Sequence, residues 1–378
     1  MSDTNKWIDI VHELGPSFAA RAEAYDEGDK FVAENFQALK DKGLVTAPVP
    51  KDLGGGGASY TDMCHVLRVM SHYCSSTSLG FSMHCHLLAA NIWKHLHGKP
   101  GEATLRKVAA NNLVLISTGA GDWINSNGNM VKVDGGYRVT ADKPNSSNCE
   151  IGNVAATSAR YNDPDQGPMV LHFAVPTSAE GVSITHNWKA HGMRASGSQT
   201  LHFKDVFVPD EAIVASRPQD QWNPLWCVVL PAAMPLIMST YMGVAEAAHT
   251  LALKMLSSKK HDANTQYTVG EMENALATAH CAWESMVALN GDYTYAADTD
   301  TVTKVLARKT IVANAVIQTT EKAMEATGGI GWLRPAGLER LMRDARGGSY
   351  HPLADKKQHV FSGRVALGLD PITGAELG

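Results

Sequence analysis

The chain is short of several features that mark common classes of function. Charged residues make up 19% of its 378 residues and aromatic residues 7%, and a formal net charge of −5 is spread along the sequence. No basic block is present to neutralise a phosphate backbone or anionic lipid, so nucleic acid and membrane surfaces are not expected partners. The six cysteines (Cys64, Cys74, Cys85, Cys149, Cys227, Cys281) are scattered, with no Cys-x-x-Cys pair. That excludes a zinc knuckle or redox dithiol and fits reduced thiols in a cytoplasmic protein. The start, Met1-Ser-Asp-Thr-Asn-Lys6, lacks a basic and then apolar leader, so no export signal is expected. No run is expected to reach the length of a membrane span. The glycine-rich stretch Gly54-Gly-Gly-Gly57 has no Gly-Lys-Ser/Thr ending, so it reads as a connector rather than a phosphate loop. Nor does a Gly-x-Gly-x-x-Gly follow any strand pattern, which disfavours a Rossmann domain. What is present is an apolar fraction of 44%, enough for two or three units sharing large cores.

Three textures follow one another. Residues 1–112 read as an N-terminal α-helical domain: Phe31-Val32, Phe36, Leu39 and Leu44 recur at helical spacing, and so do Met63, Val66-Leu67 and Met70 after the Pro48–Gly57 break. Residues 113–218 carry short β-branched runs separated by turn residues. Met130-Val-Lys-Val133, Asp134-Gly-Gly136 and Tyr137-Arg-Val-Thr140 form a hairpin signal, continued by Val154–Thr157, Val170–Phe173, Val182–Thr185 and Thr200–Val208. This predicts a middle antiparallel β-barrel domain or sandwich. Residues 219–378 return to helical periodicity over Met234–Leu256, Met272–Leu289 and Thr301–Thr327, which suits a C-terminal four-helix bundle that also packs against copies of itself. The fold class is α+β, in the order α, β, α.

Local motifs sharpen this. Gly43-Leu-Val-Thr-Ala-Pro-Val-Pro-Lys-Asp-Leu-Gly-Gly55, His191-Gly-Met-Arg-Ala-Ser196, Phe203-Lys-Asp-Val-Phe-Val-Pro209, the Gly328-Gly-Ile-Gly331 turn and Arg343-Asp344 occur in that order. Together they resemble the acyl-CoA dehydrogenase superfamily. The resemblance implies a flavin, FAD or FMN, at the junction of the β domain and the C-terminal helices. It places Thr118, in Ser117-Thr-Gly-Ala-Gly-Asp122, on the flavin, and also Ser147 and Asn148, which end Lys143-Pro-Asn-Ser-Ser-Asn148; the plain alternative for Ser147 is a turn-capping serine. Lys259 aligns where a guanidinium commonly clamps the FAD pyrophosphate. Glu325 stands for the usual glutamine before the Gly328-Gly329 turn, so an acid lies where a pyrophosphate is expected and FMN becomes an alternative.

The reaction is read from what is missing. Dehydrogenation of an acyl thioester needs a carboxylate to take the α-proton, and the family's two positions for it align with Pro352 and near Trp226-Cys227. The two-component (group D) flavin monooxygenase branch, which receives reduced flavin from a partner reductase, instead carries a histidine after the Arg-Asp pair. His351 fits that place, with His84 and His86 of Ser82-Met-His-Cys-His86 as further catalytic candidates, although a single histidine is more often structural. His84-x-His86 has the spacing of a metal pair, but no third ligand cluster supports one. The expected activity is oxygenation of a small organic substrate by reduced flavin and oxygen in a homotetramer. The alternatives are an acyl-CoA dehydrogenase using a base from an unaligned position and a non-catalytic flavin-fold binding subunit.

Overall fold

The computed structural model describes residues 3–118 and 124–376, with side chains from Lys6 onward. Five helices come first: α1 (Asp3–Glu27), α2 (Ala33–Asp41), α3 (Tyr60–Tyr73), α4 (Ser75–Leu96) and α5 (Glu102–Asn111). The connector before α3 is held by close packing, since a Cβ on Gly56 would stand 2.6 Å from the Trp7 ring. Ser59 then starts α3 with a reciprocal cap. Its hydroxyl accepts from Asp62 N–H at 3.0 Å, and the Asp62 carboxylate accepts from Ser59 N–H at 2.9 Å.

Eight strands follow: β1 (Leu115–Ser117), β2 (Asn129–Val133), β3 (Gly136–Ser146), β4 (Val154–Asp163), β5 (Gly167–Pro176), β6 (Val182–Thr185), β7 (Gln199–Pro209) and β8 (Ile213–Pro218). They form one sheet in the order β6-β7-β3-β2-β4-β5-β8, with β1 beside β4. The expected hairpin is β2–β3, with Met130 opposite Val139 and Gly135 taking the left-handed φ of 73° that the turn requires. The sheet is mixed rather than wholly antiparallel, because β1 and β2 both pair with β4 in parallel. Each reaches β4 through a crossover, which alternation within a strand does not reveal. Gly119–Asp122, part of the expected flavin turn, lie outside the described residues.

Six helices complete the chain: α6 (Leu225–Met255), α7 (Ala263–Asn290), α8 (Thr299–Thr327), α9 (Gly329–Trp332), α10 (Leu338–Ala345) and α11 (Asp355–Ala366). Helix α6 is long and apolar enough to cross a membrane, contrary to the expectation from sequence, but 94% of its most apolar window is buried. It is the central helix, packed against α3, α4, α7, α8 and α10, and being surrounded makes it apolar on every side. Two prolines inside it leave carbonyls without an intrahelical donor. That of Pro231, four residues before Pro235, accepts from Asn290 Nδ2 at 3.1 Å, and the Tyr60 hydroxyl donates to Ala232 O at 2.9 Å. The Arg343-Asp344 pair of α10 ties the layers together. Arg343 forks onto Asp26 of α1 at 2.7 and 3.2 Å, while Asp344 accepts from Met193 N–H at 2.5 Å and from the Ser75 hydroxyl at the start of α4.

Candidate active site

The sheet meets helices α4, α6 and α10 around a cavity of about 1770 Å³. That exceeds the ~300–1,000 Å³ usual for a single small ligand, so it has room for a cofactor and a substrate together. Apolar side chains from α4 (Leu79, Met83, Leu87) and α6 (Trp226, Leu230, Met234) form one wall. The opposite wall is hydroxyl-rich: Ser117 and Thr118 at the end of β1, Thr157 on β4, and Ser147 and Ser198. Thr118 Oγ1 donates to Thr157 Oγ1 at 2.8 Å. Ser147, Ser198 and Ser196 form a hydroxyl chain with steps of 2.7 and 2.8 Å. The β3–β7 register shifts between Lys143 and Ser146, and such an irregularity re-aims the strand end that carries Ser147. Apolar side chains together with hydroxyls suit an isoalloxazine ring, which has apolar faces and a polar edge, and the residues present fit a flavin on that ground.

His351 lies on the loop after α10, on the cavity wall, with Nε2 2.7 Å from the Tyr241 hydroxyl of α6. Gly347 leaves space for that hydroxyl, since a Cβ there would come within 2.6 Å of it. Burial, reinforced by the Lys309 charge, pulls His351 down to about 3, so the imidazole is neutral near pH 7 and acts through a hydrogen bond rather than as a charged acid. Burial also raises Tyr241 well above the phenol range, which keeps its proton in place. Lys309 of α8 is fully buried and donates to Leu353 O at 3.1 Å, with Asp355 3.7 Å away, fixing the backbone just beyond His351. Of the residues expected at or near the two positions for a dehydrogenase base, Pro352 and Trp226 line the cavity and Cys227 does not. Its carboxylates among the described residues are Glu339, held by Arg343 at 2.7 Å, and the exposed Glu211.

Thr118, Ser147, His86 and His351 therefore share one cavity. His86 is neutral, with burial pulling it down to about 4, and its Nδ1–H donates to Ser82 O at 3.3 Å, leaving Nε2 as an acceptor. His84 does not reach the cavity wall. Its Nε2–H donates to Val45 O at 2.8 Å and its Nδ1 accepts from Leu115 N–H at 3.0 Å, so the ring joins α4 to the Val45 turn and to β1. Of the two candidates in the His-x-His pair, only His86 lines the cavity: on a helix packed on several sides, one side of the pair faces core. Asn148 is also internal, donating to Gly80 O at 2.9 Å from a backbone φ of 58°. Lys259 is exposed beyond α6, Glu325 pairs with Lys322 at 2.9 Å, and Gly328 caps α8 and Gly329 opens α9, both at the surface. None of these four lines the cavity.

Sequence reading missed Tyr241, Lys94 and the His172–Arg217 pair. Arg217 of β8 is fully buried, lies 5.1 Å from the Trp226 ring, and its Nε–H donates to His172 Nε2 of β5 at 3.0 Å. An arginine ending an otherwise alternating strand was the available signal.

The molecule is thus a helix–sheet–helix protein with one deep, hydroxyl-edged cavity at the seam of its layers. It belongs to the acyl-CoA dehydrogenase superfamily: the Acyl-CoA dehydrogenase, N-terminal domain model matches residues 13–111 and the C-terminal domain model residues 236–356. A pigment production hydroxylase of a Rhodococcus species is 25% identical, with 92% of each chain covered. The short-chain specific acyl-CoA dehydrogenase of Clostridium acetobutylicum is 24% identical, covering 94% of this chain and 97% of that one. The X-ray structure of KijD3 in complex with FMN and dTDP-3-amino-2,3,6-trideoxy-4-keto-3-methyl-D-glucose superposes with a TM-score of 0.88 at 24% identity, over 97% of this chain and 94% of that one.

Proposed function

We propose that the protein is a flavin-dependent oxidoreductase that uses reduced flavin and oxygen to oxygenate a small organic substrate. The observation that carries this is the cavity's pairing of His351 with Tyr241; the two places where the family resemblance would put a dehydrogenase carboxylate, Pro352 and near Trp226-Cys227, offer none. The named relatives include a hydroxylase and an FMN-bound enzyme, which agrees. Bound reduced flavin supplies the electrons that activate oxygen. The protein's part is positioning: Thr118 and Ser147 offer hydroxyls to the polar edge of the ring, and Met83, Leu230 and Met234 exclude water from its face. His351 is held by Tyr241 to give or take a hydrogen bond at the reacting oxygen, with its loop fixed by Lys309.

A reductase partner delivers the reduced flavin, and the protein works in the cytoplasm, in keeping with its six free cysteines, five of them buried. Ile330, Trp332, Leu333, Val360 and Leu367 are each more than half exposed, an apolar surface that supports assembly of a homotetramer through the C-terminal helices. A monodisperse monomer in sedimentation contradicts that assembly. For the chemistry, FMN and FAD, oxidised and reduced, are titrated against thermal stability. A ligand at a hundred times its Kd adds about 2.7 kcal/mol, and no shift with any form contradicts the flavin reading. A dehydrogenase reading, favoured by the Clostridium relative, requires electron transfer from an acyl-CoA to an artificial acceptor. If that proceeds robustly and survives His351→Ala, the oxygenase reading is wrong.

A further inference from the structure

Resting on the substrate reading above, we propose that Lys94 and His172 form a subsite for an oxyanion carried by the substrate: a carboxylate, sulfonate or phosphate group. Lys94, near the end of α4, is partly buried in the cavity wall. Its ammonium has neither an ion pair nor a hydrogen bond among the described residues. The nearby carboxylate of Glu102 is taken by Arg106 at 2.7 Å and His95 at 3.6 Å. On the cavity wall itself, Glu339 is held by Arg343 and Glu211 is exposed. Burial, and then the charge of Lys99, lowers the pKa of Lys94, and no acid offsets either. A lysine half out of water without a counter-ion is costly unless a ligand brings one.

His172 lines the same cavity and lies close enough that the Lys94 charge helps to lower its pKa, behind the larger effects of burial and Arg217. Because Arg217 Nε–H donates to His172 Nε2, the lone pair there is used and the neutral ring carries its proton on Nδ1. His172 is thereby locked as a donor. The buried charges of Arg217 and Lys143 add to the positive potential at this ring. One point charge and one fixed N–H donor, beside the Thr157 and Ser158 positions of the neighbouring strand, match a compact oxyanion, and they disfavour a cation or a wholly apolar substrate.

The test uses matched probes on the full-length protein, with and without FMN: p-toluenesulfonate against p-toluenesulfonamide, and benzoate against benzamide. Binding is read from quenching of tryptophan fluorescence. The wild type is expected to bind the anionic member of each pair at least ~10-fold tighter, a tenfold ratio being the effect of a single charge-assisted contact. Lys94→Met, which keeps the aliphatic stem, should abolish the preference and raise Tm, and Lys94→Arg should retain it. Equal binding of both members by the wild type overturns the proposal. So does a preference that survives Lys94→Met, or a Lys94→Met variant that loses FMN but not lumiflavin affinity, which assigns the ammonium to the flavin phosphate. The flavin-free arm reports the anion preference on its own, so failure of flavin binding and failure of this subsite are separate results.

Discussion

The core around α3, α4 and α6 and the wall of the cavity are built from the same helices, yet they treat histidine in opposite ways. His84 faces the core, and both ring nitrogens are used by backbone groups of two other segments, Nε2–H donating to one and the Nδ1 lone pair accepting from the other. Two residues on, His86 faces the cavity with no partner on Nε2 among the described residues; in the same cavity His172 is held by Arg217 and His351 by Tyr241, one nitrogen each. All four are neutral because burial lowers them, so charge state does not separate the core histidine from the cavity histidines. The number of nitrogens left for a ligand does.

The comparison breaks most visibly if His351 is dispensable. His351→Ala is expected to lower the rate of substrate oxygenation by ~10²–10⁴, the usual worth of a positioned acid–base or hydrogen-bonding group, with Tm nearly unchanged. For His84→Ala the expectation reverses: flavin binding persists, while chemical denaturation shows a loss of about 2–4 kcal/mol from two severed hydrogen bonds and a cavity. Equal stability of the two variants would erase the distinction between core and wall.

Acid sharpens it next. A histidine whose folded pKa lies below its ordinary 6.5 takes up protons more readily when unfolded, so stability is full above about pH 6.5 and falls as pH drops toward the folded values of about 4 for His84 and His86 and about 3 for His172 and His351. Each contributes a loss on the order of 1 kcal/mol per pH unit in that window, measurable as Tm from pH 7 to pH 4.5, and His84→Gln should flatten the slope. Tyr241→Phe removes one hydrogen bond from His351 and should cost ~10-fold in turnover. Glu325→Gln and Lys259→Met change exposed groups outside the cavity and should move FMN affinity less than ~2-fold, as read by flavin fluorescence.

Much of the fold was legible in the sequence because period and punctuation carry it: the Asp134-Gly135 hairpin, the runs that became β4 to β7, and the three long C-terminal helices all announce themselves locally. The parallel pairings of β1 and β2 with β4 did not, since crossover order is a tertiary property. Of the candidate residues, Thr118, Ser147, His86 and His351, picked out by motif position, line one cavity. That His84 turns to the core and His86 to the cavity was not legible, because a helix packed on several sides gives no amphipathic stripe from which to choose its ligand face. Lys94, His172 and Arg217 lie on three separate elements and meet only in the folded chain, so spacing along the sequence could not bring them together.

The central claim, that His351 serves reduced flavin and oxygen rather than an acyl thioester, is tested most directly by mixing the protein carrying reduced FMN with oxygen and timing the release of hydrogen peroxide. The account predicts slow release from the wild type and prompt release from His351→Ala. Prompt release from both, or identical slow release from both, contradicts it.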